Sequence, residues 1–184
     1  MLRFVYLLSL VVLLGACQTT QGQRDFDSSR DFTLYRDWSW SEPAVSYRPA
    51  DDPRITSDLT TQRIQDAVSA QLDARGLRPS NDGDPDVLVK VYMIVEQRHD
   101  NVTTHYGGAH YWRWGMMGPM MSESRTVTYD VATMQIDMTD ASDGKLVWRG
   151  STSEVLNSRQ RSPTDRTQST HEMARQVLEG YPPY

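Results

Sequence analysis

Val87-Leu-Val-Lys-Val-Tyr-Met-Ile-Val95 is the stretch that decides how the rest of the chain is read. Val87, Val89, Val91, Met93 and Val95 form one apolar series, alternating with Leu88, Lys90, Tyr92 and Ile94. A period of two marks a strand, because successive side chains point to opposite faces of a sheet. The pattern predicts a strand over 86–97, placed centrally because its second face is mixed rather than polar. The turn formers Asn81-Asp82-Gly83-Asp84-Pro85 set its start.

Working upstream, residues 57–75 read as a helix. Ser57 is a suitable N-cap, Asp58 sits in the first turn, Ile64, Ala67, Val68 and Leu72 share one stripe, and Gly76-Leu77 fits a glycine C-cap. Before it, Phe32, Leu34, Trp38 and Trp40 mark a strand with Tyr35 off the alternation, and Pro43, Pro49 and Pro53 then break the chain into an extended loop. The spacing puts both indoles on one face, which is core or sheet-edge packing before it is a ligand platform.

Downstream, residues 125–140 predict another strand. Val127, Tyr129 and Val131 follow one phase and Met134, Ile136 and Met138 the other, so a β-bulge is expected near Ala132 or Thr133. Asp143-Gly144 then turns the chain into a hairpin strand with Leu146, Trp148 and Gly150. Ser162-Pro163 opens a last helix through Met173, Val177 and Leu178, stopped by Gly180, Pro182 and Pro183. The order β-α-β-β-β-α predicts an α+β domain over 31–184: a mostly antiparallel sheet of about four strands, with both helices packed on one face.

The first residues give an address. Arg3 precedes an apolar run, Phe4 to Leu14, that is too short to span a bilayer but suits a secretory signal. It closes with Leu14-Gly15-Ala16-Cys17, which resembles the lipobox of bacterial lipoproteins. Residues 1–16 are then a signal peptide, and Cys17, the only cysteine in the chain, is the residue that takes the lipid. Lipidation consumes a thiol that would otherwise be exported unpaired into an oxidising space. Two or three acyl chains such as palmitate anchor a domain durably where one does not. Gln18, rather than Asp, follows the cysteine, which resembles outer-membrane sorting in a Gram-negative cell. Residues 17–30 are polar and read as a tether. The expected location is the periplasmic face of the outer membrane.

The whole chain carries a net charge of −5, and removing residues 1–16, whose only charge is Arg3, leaves −6. This acidic balance argues against nucleic acid and against electrostatic docking to anionic lipid. Membrane contact is expected through the lipid on Cys17, with an envelope protein as a further partner.

Together these features resemble a known family. The lipobox, the tether, the Asp31 to Trp40 stretch, the helix closing Leu72-x-x-x-Gly76, the strand Asp86 to Val95, Met134-Gln-Ile-Asp-Met-Thr-Asp140, Lys145-Leu-Val-Trp-Arg-Gly150 and the final helix are similar to bacterial lipoproteins grouped as domain of unknown function 4136. The resemblance implies an envelope location and this architecture, and brings no catalytic residue or cofactor.

Between the two long strands lies the least ordinary segment, His99 to Met121. It holds His99, His105 and His110, the aromatics Tyr106, Tyr111, Trp112 and Trp114, four glycines, and Met116, Met117, Met120 and Met121. Three readings stay open. Tyr106, Tyr111, Trp112, Trp114, Met116 and Met117 suit an adaptable apolar contact surface. His99, His105, His110, Met120 and Met121 offer imidazole and thioether ligands of the kind copper takes, although their spacing matches no tight ligand pattern. An enzyme is the least supported: the chain has no G-x-S-x-G, no G-x-x-x-x-G-K and no H-E-x-x-H, and His171-Glu172 lacks a second histidine four residues on. No cofactor is expected, and the function expected is non-catalytic.

Overall fold

The alternating stretch is the middle of the sheet, and its strand runs nine residues beyond the expected end, to Tyr106. In the computed structural model, which describes residues 22–81, 83–106, 121–156 and 162–183, the elements are β1 (Gln23–Phe26), β2 (Asp37–Arg48), α1 (Asp58–Ala74), β3 (Arg78–Pro79), β4 (Val87–Tyr106), β5 (Met121–Asp140), β6 (Leu146–Leu156) and α2 (Pro163–Leu178). The strands form one six-stranded, curled sheet in the order β1-β6-β5-β4-β2-β3. Val87, Val89, Val91, Met93 and Val95 are buried, opposite Asp140, Met138, Ile136, Met134 and Ala132 of β5 in that order.

The expected antiparallel sheet of about four strands needs correction. β2 pairs parallel with both β4 and β3, while β4–β5, β5–β6 and β1–β6 are antiparallel. The cause is α1: a strand that returns through a helical crossover comes back parallel to the one before it. Phe32–Leu34 is a short 3₁₀ turn and not part of the strand, its start capped by the Asp31 carboxylate accepting from the Thr33 amide. The prolines expected to break the chain after Trp40 do less than that. β2 runs on to Arg48, and Pro43 falls where the register shifts between Trp40 and Val45, so its missing N–H costs no ladder bond. Trp38 and Trp40 share the core side, edge to face with ring centroids 5.1 Å apart.

Residues 23–26, read as tether, form β1, pairing with Arg149, Trp148 and their neighbours on β6. Only Phe26 in this strand is apolar, and a four-residue edge strand carries too little pattern to stand out from a polar leash. Arg30 fixes the end of the segment. Its guanidinium donates to Asp140 at 3.0 Å and to Asp143 at 2.5 Å, and the Tyr35 hydroxyl donates to Asp140 at 2.9 Å. Burial raises the Tyr35 hydroxyl to about 12, with the bond to Asp140 adding to the shift.

The bulge expected near Ala132 is absent: β4 and β5 pair without a break from Val87↔Asp140 to Tyr106↔Met121. The irregularity lies instead between Met138 and Thr139, against β6. The phase change in the sequence marks a change of surroundings along one regular strand. Ala132, Met134, Ile136 and Met138 face the helices, Val131 is buried on the opposite face, and Val127 stands beyond the core.

Both helices do cover one face. Ile64, Ala67, Val68 and Leu72 of α1 join Met173, Ala174, Val177 and Leu178 of α2 and the sheet in one core. α1 ends as its sequence predicts. Gly76 takes φ +89°, Leu77 N–H donates to Leu72 O at 3.1 Å, and Gly76 N–H donates to Asp73 O at 3.0 Å. Ser57 accepts from Thr60 N–H at the start, and Ser162 with Asp165 forms a reciprocal capping box on α2, Pro163 following. Arg75 ties the two C-termini together: its Nε donates to Leu178 O at 2.6 Å and its Nη1 to Gln71 O at 2.9 Å, cationic donors where helix carbonyls are left over. Among the described residues no helix is long and apolar enough to cross a membrane.

Tyr181 closes the core beside Phe32 and Trp148, edge to face with centroids 5.9 and 5.5 Å away. Its hydroxyl is buried with no acceptor among the described residues, and that burial pushes its pKa up. A buried hydroxyl without a partner costs about 1–3 kcal/mol. Tyr181→Phe is therefore expected to leave the thermal midpoint unchanged or raise it. A loss greater than about 1 kcal/mol in denaturant unfolding would mean that the hydroxyl has a partner after all.

Candidate functional site

Past the body of the domain, β4 and β5 continue with no other described strand beside them. β2 stops pairing at Arg48↔Ile94 and β6 at Leu156↔Asp130, but the hairpin runs on from Arg98↔Tyr129 to Tyr106↔Met121. These nine pairs make a two-stranded arm about 30 Å long at the usual rise per residue. Residues 98–104 and 122–128 are all exposed, on both faces. The sequence builds the arm from β-formers that bury nothing: Val102, Thr103 and Thr104 opposite Arg125, Ser124 and Glu123, and Thr126, Val127 and Thr128 opposite Asn101, Asp100 and His99. Side chains bridge the strands. His99 Nδ1 lies 2.9 Å from Thr128 Oγ1, Thr126 Oγ1 donates to Asn101 Oδ1 at 2.9 Å, and Tyr129 OH donates to Asp100 Oδ2 at 2.7 Å. The last bond holds the Tyr129 proton and raises the hydroxyl pKa.

At the root of the arm, where the sheet outruns the helices, lies a cleft of about 770 Å³. Ile55, Met93, Ala132 and Met173 supply its apolar lining, and Arg63 of α1 and Arg166 of α2 stand among its walls. Much of its charge is already engaged. Arg54 bridges Asp52 at 2.6 Å and Asp130 at 2.5 Å, which holds the Asp52 carboxyl below the usual range, and both Glu154 oxygens accept from Ser169 Oγ at 2.9 Å. Neither histidine nor cysteine is among the residues that line it.

The residues singled out from sequence fall unevenly on this frame. Tyr106 and Met121 form the last pair of the arm, and His105 pairs with Ser122, by backbone register. Tyr111, Trp112, Trp114, Met116 and Met117, with His110 and Met120, lie outside the described residues, as does Cys17. His99 and His105 sit six residues apart along β4, roughly 20 Å of strand. No group of three or more His, Cys, Asp or Glu side chains suited to a metal occurs among the described residues. Asp140 and Asp143 are turn formers, accepting from the Ser142 and Lys145 amides, whereas Asp137 is buried and held by Arg149 at 2.7 and 2.5 Å. Glu172 pairs with Arg175 at 2.7 Å, which lowers its pKa to about 2, and takes no part with His171 in a site.

Sequence reading missed the extent of the arm, because it followed apolar alternation, which ends at Val95. The signal was there in the run of β-branched residues on both sides of the loop, Val102-Thr-Thr104 and Thr126-Val-Thr128.

The profile of one family, described as Domain of unknown function (DUF4136), matches residues 23–183, from the first residue of β1 to just beyond α2. The chain belongs to this family. Among solved structures, a PDZ domain protein from Parabacteroides distasonis is 13% identical, with a TM-score of 0.54 over 88% of this chain and 35% of that one. This chain thus spans about a third of that protein, and at such identity the likeness is one of fold. A DUF4136 family protein from Bacteroides thetaiotaomicron is 13% identical over 88% of this chain and 95% of its own, TM-score 0.47. The PelC dodecamer from Paraburkholderia phytofirmans is 10% identical over 86% and 94%, TM-score 0.46. No curated protein matches the sequence.

Proposed function

We propose that this DUF4136 protein is a lipid-anchored component of the bacterial envelope, held through Cys17 on the periplasmic face of the outer membrane, with a non-catalytic role carried by the β4–β5 arm. The observation behind this is the nine-pair ribbon that no described strand or helix covers. A two-stranded hairpin alone is marginally stable in water, and a fold that keeps one about 30 Å long has a use for its surface. The tip between Tyr106 and Met121 carries Tyr111, Trp112, Trp114, Met116 and Met117, residue types that anchor interfaces or adapt to them. A short lipid leash confines that surface to one layer beside the membrane, which raises its effective concentration toward an envelope protein.

The reading is tested by cross-linking and affinity capture from intact envelopes, comparing the natural chain with the double substitution Trp112→Ala and Trp114→Ala. Partner recovery should fall at least tenfold while membrane residence and unfolding midpoint stay as they were. Equal recovery from both chains would take the tip out of the proposed function.

A further inference from the structure

On β5 the stretch from Met121 to Val127 forms an edge that no described strand covers, since β4 lies on its other side and β6 stops at Asp130. In chemical terms this stretch complements itself. Set antiparallel to a second copy, with Ser124 opposite Ser124, it brings Glu123 opposite Arg125 and Arg125 opposite Glu123. Ser122 then meets Thr126. Opposite charges and paired hydroxyls are favourable combinations directly across a ladder.

Among the described residues of one protomer the two charges have no such partners. Across the hairpin Glu123 faces Thr104 and Arg125 faces Val102, both charged residues are exposed, and neither makes an ion pair among the described residues. The register is also specific. A two-fold axis through the ladder must pass through a residue position for side chains to keep their faces, so the adjacent choices centre on residue 123 or 125. The first sets Glu123 against Glu123 and the second Arg125 against Arg125, like charges that disfavour pairing.

Two of the usual protections against pairing, proline or lysine on the strand and a bulge, are missing from this edge. From Met121 to Tyr129 there is no proline and no lysine, and the ladder to β4 has no bulge. We infer that two copies of this chain join edge to edge along β5, antiparallel about Ser124, merging their arms into one four-stranded ribbon. The contact is isologous, so it closes as a dimer and does not propagate. It deepens the proposed role of the arm by naming a second copy as the occupant of its β5 edge, and makes no use of the Trp112 and Trp114 tip.

The test uses the full acylated chain in detergent. By sedimentation, the natural chain is expected to be dimeric. Glu123→Arg or Arg125→Glu alone should raise the dimer dissociation constant at least tenfold, and the double exchange should restore it. Under mild oxidation Ser124→Cys should give a covalent dimer, whereas Ser122→Cys should not, because residue 122 faces residue 126 of the other copy and not its own counterpart. A natural chain that is monomeric throughout, a double exchange no tighter than the single ones, or Ser122→Cys coupling as fast as Ser124→Cys would each overturn the pairing. Oxidised natural chain gives the baseline. A covalent dimer there would report a free thiol at Cys17, against the anchor reading, and the charge exchanges would still decide the edge contact.

Discussion

Trp148→Ala is expected to destabilise the domain by about 3–5 kcal/mol, the range for removing a large aromatic side chain from a packed core. Trp148 is fully buried, lies edge to face with Tyr181, and folds back over Gly150 two residues along the same face of β6. A Cβ added at Gly150 would stand 2.4 Å from the indole Cη2 and 2.9 Å from Cζ2, with Val177 Cγ1 at 3.0 Å, so the ring cannot stay where it is. Gly150→Ala should by itself cost roughly 1–3 kcal/mol through overpacking. The two changes should not add: once the indole is gone, the new methyl enters space the ring has left, and the double variant should be no less stable than Trp148→Ala alone. Urea unfolding of the three variants gives the coupling. Additivity within about 0.5 kcal/mol would mean that the indole does not lie over Gly150.

Cys17→Ser should move the protein from the membrane fraction to the soluble fraction almost completely. Among the described residues no helix offers a hold on the bilayer. The net charge is negative, the arm carries both signs (Glu123 and Asp100 beside Arg98 and Arg125), and no described helix is long and apolar enough to cross. Each buried methylene is worth about 0.8 kcal/mol, so two or three acyl chains hold the domain where salt washes do not release it. The natural chain should accordingly stay in the pellet through high salt and leave only with detergent. Cys17→Ser found still in the pellet would remove lipid as the anchor.

Much of this fold is legible before any coordinates. The strand through Val87 to Val95, the helix between Ser57 and Gly76 with both its caps, and the Ser162-Pro163 start of the last helix all stand where pattern and capping chemistry put them. The errors have physical causes. A parallel pairing leaves no mark in strand composition, so β2 and β4 read as antiparallel until the crossover through α1 is seen. β1 stays hidden because a short edge strand with one apolar residue looks like a leash. The apparent bulge in β5 comes from assuming that every apolar residue must reach one core, whereas Val131 is buried on the other face and Val127 stands partly exposed on the arm. The arm itself escapes a search for buried alternation because it has nothing to bury. The long-range ion pairs at its root and at the chain entry, Arg54 with Asp130 and Arg30 with Asp140 and Asp143, join residues up to 113 positions apart and have no local signature.

The measurement that bears most directly on the arm as the proposed working part of this protein is its excision. Gln97 and Asp130 are directly paired, so replacing residues 98–129 by Asn-Gly closes the hairpin with a two-residue turn at the edge of the body. The shortened chain should remain in the membrane fraction, unfold at the same temperature within about 2 °C, the spread expected for under 1 kcal/mol, and capture no envelope partner. A shortened chain that captures its partner as the natural one does, or that loses its folded body, would contradict the assignment of binding to the arm and stability to the domain beneath it.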